Sequence, residues 1–144
     1  MNAGEAEWEH YLSELRQHIE CDFCALALYD ASSRQIRWIA ASGNINEKFR
    51  YMVNRPGQGI SGEVIRIGRT VQRTCTSDEQ RRSVDSIMLA ERLVVAAATP
   101  VRTEDNETMG ILLMGRRIGA IYTTPELAML EKAATYFSRK PETA

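Results

Sequence analysis

Gly57-Gln58-Gly59-Ile60-Ser61-Gly62-Glu63-Val64 is the stretch on which the fold turns, and it runs on through Ile65, Arg66 and Ile67 to Gly68. Pro56, Gly57 and Gly59 exclude regular structure at its start. From Ile60 onward the spacing predicts a short helix, with Val64 and Ile67 on one face and Gly68 at its end. A glycine loop that feeds a helix has a chemical consequence. The first four N–H groups of a helix lack partners within it, and the dipole places about half a positive charge there. With no side chains in the way, a small anion can reach the backbone from Ile60 to Glu63 without any Arg or Lys contact. The same glycines can equally make a plain tight turn, with Ser61 capping its own helix.

Outward from this stretch, the period of the apolar residues changes several times. Trp8, Tyr11, Leu12, Leu15 and Ile19 recur at helical steps and predict a helix over about 5–20, its stripe to be covered by the domain's own sheet or by a second chain. Phe23 to Tyr29 alternates with both sets apolar, which predicts a central strand covered on both faces. Asp30-Ala31-Ser32-Ser33 supplies a turn into a second strand over 34–41, with Ile36, Trp38 and Ala40 on one face. Asn46 is a cap for a short helix carrying Phe49, Tyr51 and Met52. Thr70 to Arg73 reads as a brief strand, Thr76 to Arg82 as a polar loop, and Asp85 to Glu91 as a helical turn. Strands follow at Val94 to Val101 and Met109 to Arg116, joined by the polar turn Thr103 to Thr108. Thr124 caps a last helix over about 124–139, with Pro125 in its first position and Leu127, Leu130, Ala134 and Phe137 as its buried stripe. Helix, hairpin, short helices, three strands and helix make an α+β sandwich, expected as one domain over 1–144.

The totals exclude several classes. The 144 residues carry a formal net charge of −1, with 44% apolar and 26% charged residues. No basic stripe interleaved with aromatics marks a nucleic-acid surface. No stretch approaches the roughly 20 apolar residues that cross a bilayer. Met1 to Glu9 is acidic and does not read as a secretory signal, so a cytoplasmic location is expected.

Three cysteines without an export signal argue against a disulfide scaffold. Cys21-Asp22-Phe23-Cys24 lies where a helix end runs into a strand, not at a helix N-terminus where the dipole would activate a thiol. The expected reading is a core Cys24 and an incidental Cys21. With His10, His18 and Cys75 the only other ligand candidates of these types, no second close pair completes a zinc site. No nucleophile–base constellation stands out, so neither catalytic residues nor a metal or cofactor is expected.

The glycine segment, then Gly68 with Thr70-Val71-Gln72, then Ala97-Ala98-Thr99-Pro100-Val101 and Met109-Gly110-Ile111-Leu112, resembles the GAF family over nearly the whole chain. The resemblance implies an antiparallel sheet with N- and C-terminal helices on one face, and short helices and loops enclosing a pocket on the other. Within that family the chain is similar to stand-alone nitrate receptors of bacterial two-component systems, on its length, on Trp38, and on Gly43-Asn44 to Arg55-Pro56-Gly57. Carried over by motif, the ligand-binding positions are Trp38, Ile60, Ser61, Gly62, Val95 and Ala97. Nitrate is implied as ligand and a sensor histidine kinase as partner, without nucleic acid or membrane. Nitrate also suits the physics, being planar, monovalent and weakly hydrated, with Trp38 as a flat apolar wall.

Two other classes stay open at this point. One is a ligand-free scaffold that dimerises through its terminal helices, using Trp8, Tyr11 and Leu15. The other is a free methionine sulfoxide reductase using Cys75, for which the later loops supply no partner cysteine.

Overall fold

The computed structural model describes residues 3–139, so residues 1–2 and 140–144 of the expected 1–144 domain lie outside the described residues. The strand Phe23–Asp30 (β1) sends Phe23, Ala25 and Ala27 into one core and Cys24 and Leu26 into another. Its unbroken apolar run thus reflects cover on both faces. At the hairpin turn, Asp30 Oδ1 accepts from the Ser32 backbone N–H at 3.0 Å and from its hydroxyl at 2.7 Å.

The other strands are Gln35–Ser42 (β2), Val53–Asn54 (β3), Val71–Thr74 (β4), Val95–Arg102 (β5) and Thr108–Arg116 (β6). They form one antiparallel sheet in the order β3-β2-β1-β6-β5-β4. The helices are Ala3–His18 (α1), Gly59–Ile67 (α2), Asp78–Val84 (α3), Ser86–Glu91 (α4) and Thr124–Arg139 (α5), with a 3-10 turn at Lys48–Tyr51. α1 and α5 cover one face of the sheet through Leu12, Leu15, Leu130, Ala134 and Phe137, joined by Ile19 just past the end of α1. α2, α4 and the 3-10 turn cover the other with Phe49, Ile60, Val64, Ile87 and Met88. This is the α+β arrangement expected, with terminal helices on one side and short helices on the other. The lower part of the N-terminal stripe is buried by the protein's own sheet, while Trp8 and Tyr11 are only partly buried against it. No helix among the described residues is long and apolar enough to cross a membrane.

Several local expectations are corrected. Ala40 does not share a face with Ile36 and Trp38. The pairing jumps from Leu26↔Ala40 to Ala27↔Trp38, so Ile39 is an extra residue and the bulge turns Ala40 to the helical side. Asn46 Oδ1 accepts from the Lys48 N–H at 2.9 Å, but the N-cap of the 3-10 turn is Glu47, not Asn46, and Tyr51 stands exposed. The segment read as a polar loop over 76–82 contains the start of α3, capped by Ser77 Oγ, which accepts from the Gln80 N–H at 3.2 Å. Arg81 secures that helix, since its buried guanidinium donates to Leu93 O at 2.7 Å and Cys75 O at 3.3 Å. Thr123, not Thr124, caps α5: its hydroxyl accepts from the Glu126 N–H, and Glu126 Oε1 accepts from the Thr123 N–H at 2.8 Å.

The glycine loop folds back on α2. Gln58 N–H donates to Arg55 O, Gly57 N–H to Gly62 O, and Gly62 N–H to Gln58 O, each at 2.9 Å. Gly57 has φ +92°, a conformation that side chains resist. At Gly62 the constraint is contact: a Cβ there would lie 2.5 Å from Arg55 O and 2.7 Å from Gly57 N. Gly62→Ala therefore has to part loop from helix, and a loss of about 1–3 kcal/mol is expected in urea unfolding. An unchanged midpoint would show that the loop does not grip the helix at this point.

Candidate functional site

α2 begins in the apolar layer formed by Trp38, Phe49, Val64, Ile87 and Met88, where its first donors have little water to turn to. Its first backbone-paired amide is Gly62, which donates to Gln58 O. The Ile60 N–H instead donates to Asp85 Oδ2 at 2.7 Å. The same carboxylate is the N-cap of α4, where Oδ1 accepts from Ile87 N–H at 3.2 Å and Met88 N–H at 3.3 Å. Arg73 completes the set, with one guanidinium nitrogen 3.3 Å from Asp85 Oδ2 and another 3.0 Å from Glu63 Oε2. One side chain, 4% exposed, thus serves the N-termini of two helices.

The Ile60 amide is therefore not an unpaired donor facing an empty space, as the glycine motif suggested. The protein supplies its own anion there. Burial pushes the Asp85 carboxyl above the ordinary aspartate range, against the opposing pull of the Ile60 and Met88 amides, Arg73 and the Ile87 amide.

Beside this carboxylate opens a cleft of about 880 Å³, lined among others by Asn54, Gly57, Gly59, Arg73, Arg82 and Asp85. Trp38, Ile60 and Ser61 do not line it, being buried at 2%, 0% and 2% exposure. Trp38 and Ile60 belong to the same core, and Ser61 and Gly62 are buried in the first turn of α2. Trp38 Nε1 is a buried donor with no hydrogen-bond partner among the described residues. Such a group costs about 1–3 kcal/mol when nothing accepts from it.

Val95 and Ala97 do not join this group. Both face the α1 and α5 side, while their neighbours Ala96 and Ala98 line the Trp38 side. In a strand a shift of one residue exchanges the faces, which leaves the two positions carried over by motif on the side away from Trp38. Asp85 and Arg73 were missed as site residues. An Asp just ahead of Ser86-Ile87-Met88 is a cap signal that the sequence does carry, but its second contact lies 25 residues back in the chain and leaves no local trace.

A profile of the GAF domain matches residues 9–139. The chain belongs to the GAF domain family. No curated protein matches it. Among solved structures, it is similar to Staphylococcus aureus NreA mutated in its nitrate-binding site. One such structure shows 27% identity and a TM-score of 0.72 over 86% of this chain and 98% of that one. A second shows 27% identity and a TM-score of 0.70 over 80% and 86%. Free methionine-R-sulfoxide reductase from Neisseria meningitidis, in complex with its substrate, shares the fold at 16% identity and a TM-score of 0.73, over 93% and 75%.

In this GAF domain Cys75 is 2% exposed, with Sγ 3.9 Å from Met88 Sδ. Burial and the Asp85 charge push its thiol up, away from the thiolate a nucleophile requires.

Two substitutions separate the roles of the site. Asp85→Ala leaves the Ile60, Ile87 and Met88 amides without their acceptor, and a loss of more than about 2 kcal/mol is expected by urea unfolding. Trp38→Phe removes a donor that has no partner, so without ligand its cost is expected to stay within about 1 kcal/mol. A much larger loss would mean that the indole N–H is already engaged or that the core does not close around the smaller ring.

Proposed function

We propose that this GAF domain is a small-molecule sensor that takes nitrate at the N-terminus of α2, in exchange for the Asp85 carboxylate. The observation that carries this reading is the Ile60 N–H donating to a buried anion, Asp85 Oδ2, within an apolar layer. A helix start that holds one planar carboxylate has the charge and donor geometry for another planar oxyanion. The unpartnered Trp38 N–H supplies a further donor to a guest in the same core. The 27% likeness to NreA, a protein with a nitrate-binding site, supports nitrate among small anions.

The exchange also suggests how binding is reported. Asp85 holds α2, α4 and Arg73 together. Once its hold on Ile60 is lost, Asp85 can stay with Arg73 in the cleft while the cap of α4 loosens. Nitrate shifts the population only as far as it favours the state with Asp85 displaced. We propose a sensor histidine kinase as the reader of that change and assign the protein no catalytic activity. A homodimer through α1 and α5 is compatible with sensing, because both helices lie on the opposite face of the sheet.

Titration calorimetry with nitrate, nitrite, chloride and phosphate tests the reading. Nitrate is expected to bind in the micromolar range, and Trp38→Phe to weaken it about tenfold, the worth of one buried hydrogen bond. Because burial raises the Asp85 pKa, the carboxyl gains its proton more readily than an exposed one and then accepts more weakly from Ile60. Nitrate affinity should therefore rise as the pH falls. Absence of heat with every anion, at neutral and at mildly acidic pH alike, would sink the proposal.

A further inference from the structure

Away from the anion site, Cys21 and Cys24 are brought face to face where α1 joins β1. Their sulfurs are 3.3 Å apart. Cys24 is fully buried in the sheet, between Ser42 of β2 and Met114 of β6. Cys21 lies outside the strand, half-buried, and lines an open cleft of about 650 Å³ together with Asp22, Arg116, Arg117 and Ile118. One sulfur is thus within reach of a small solute and the other is shielded directly behind it.

We propose that Cys21 and Cys24 form a redox-active dithiol, oxidised to a disulfide by a hydroperoxide that enters the cleft beside Cys21. Cys21 attacks first. Its sulfur displaces the distal peroxide oxygen, the O–O bond breaks, and the leaving oxygen takes a proton to become water or an alcohol. Cys21 is then a sulfenic acid. The Cys24 sulfur next attacks the Cys21 sulfur, forming the S–S bond and expelling the hydroxyl group, which leaves as water with the Cys24 proton. Two thiols have supplied the two electrons that reduced one peroxide. A small dithiol reverses the change by exchange.

The surroundings suit this division of labour. The hydrogen bond from Cys24 lowers the Cys21 pKa, with further help from the Arg16 and Arg116 charges, against burial and Asp22. Arg16 also carries a buried Nε without a partner among the described residues. Burial pushes the Cys24 thiol up, so it keeps its proton until the second step. The C-terminal end of α1, three residues before Cys21, disfavours a thiolate and so works against the Arg16 and Arg116 charges. Closing 3.3 Å to the roughly 2.05 Å of a disulfide asks movement mainly of Cys21, which no strand pairing holds. The reading does not depend on any ligand at α2.

Thiol mapping on the full chain tests it. The protein is treated with a small excess of hydrogen peroxide, alkylated under denaturing conditions and digested. The peptide bearing Cys21 and Cys24 is expected to lose two hydrogen masses, to regain them with dithiothreitol, and to react at least about tenfold faster than Cys75. Cys24→Ser should stop at a sulfenic acid on Cys21 that dimedone captures. Cys21→Ser should leave Cys24 reduced, and Arg16→Gln should slow the first step. Equal oxidation of all three cysteines, oxidation of Cys24 in the Cys21→Ser variant, or a disulfide joining two chains would each overturn the proposal.

Discussion

Asp85 is the point at which the cleft side of the molecule is tied together. Two helices, α2 and α4, begin in an apolar layer, and each arrives with donors that the helix itself cannot satisfy. A single carboxylate answers both, taking Ile60 on one oxygen and Ile87 with Met88 on the other. Burying that charge is costly, and the cost is offset by two positive helix ends and by Arg73, itself shared with Glu63. The glycine loop depends on this arrangement and supports it: it turns sharply enough to point the start of α2 at Asp85, and Gly62 lets the loop close against the helix. A ligand that competes for the Ile60 amide therefore acts on two helices and an ion pair at once.

The sheet makes this economy possible by separating two environments. On the α1 and α5 side, Leu26, Leu112 and Met114 meet Leu12, Ile19, Leu130 and Phe137 in an ordinary apolar core. On the other side the floor combines the small residues Ala25, Ala27, Ala96 and Ala98 with Phe23, Ile111 and Leu113. Where the alanines lie, there is depth for bulky residues of the same core, such as Trp38, Phe49, Ile60 and Met88. The bulge at Ile39 belongs to the same design, since it lets β2 turn Trp38 to the α2 side and Ala40 to the helical side. The dithiol lies at the opposite end of this logic, with Cys24 in the helical core and Cys21 at its rim.

What the sequence makes legible follows the range of the forces involved. Elements set by their own periodicity were legible, such as the alternation in Phe23 to Tyr29 and the stripe through Leu130, Ala134 and Phe137. So was the break at Pro56 and Gly57 ahead of α2. α3 was not legible, because nothing apolar repeats in it and Arg81 stabilises it by reaching Leu93 and Cys75. The candidate site was legible only as a place in the chain. The glycine motif marked Ile60 and Ser61 as the start of a helix, which the fold buries, whereas Val95 and Ala97 lie on the face away from Trp38 because a strand alternates at every residue.

The sequence by itself determined that the chain is an α+β domain with a glycine loop opening a helix, because backbone freedom and hydrophobic period are written locally. Only the tertiary structure decided that Asp85 fills the start of that helix, that Trp38 holds an unpartnered donor, and that Cys21 meets Cys24. The first of these contacts joins residues far apart in the chain. The other two depend on which groups share a core and how closely, and such distances are set only when the layers pack.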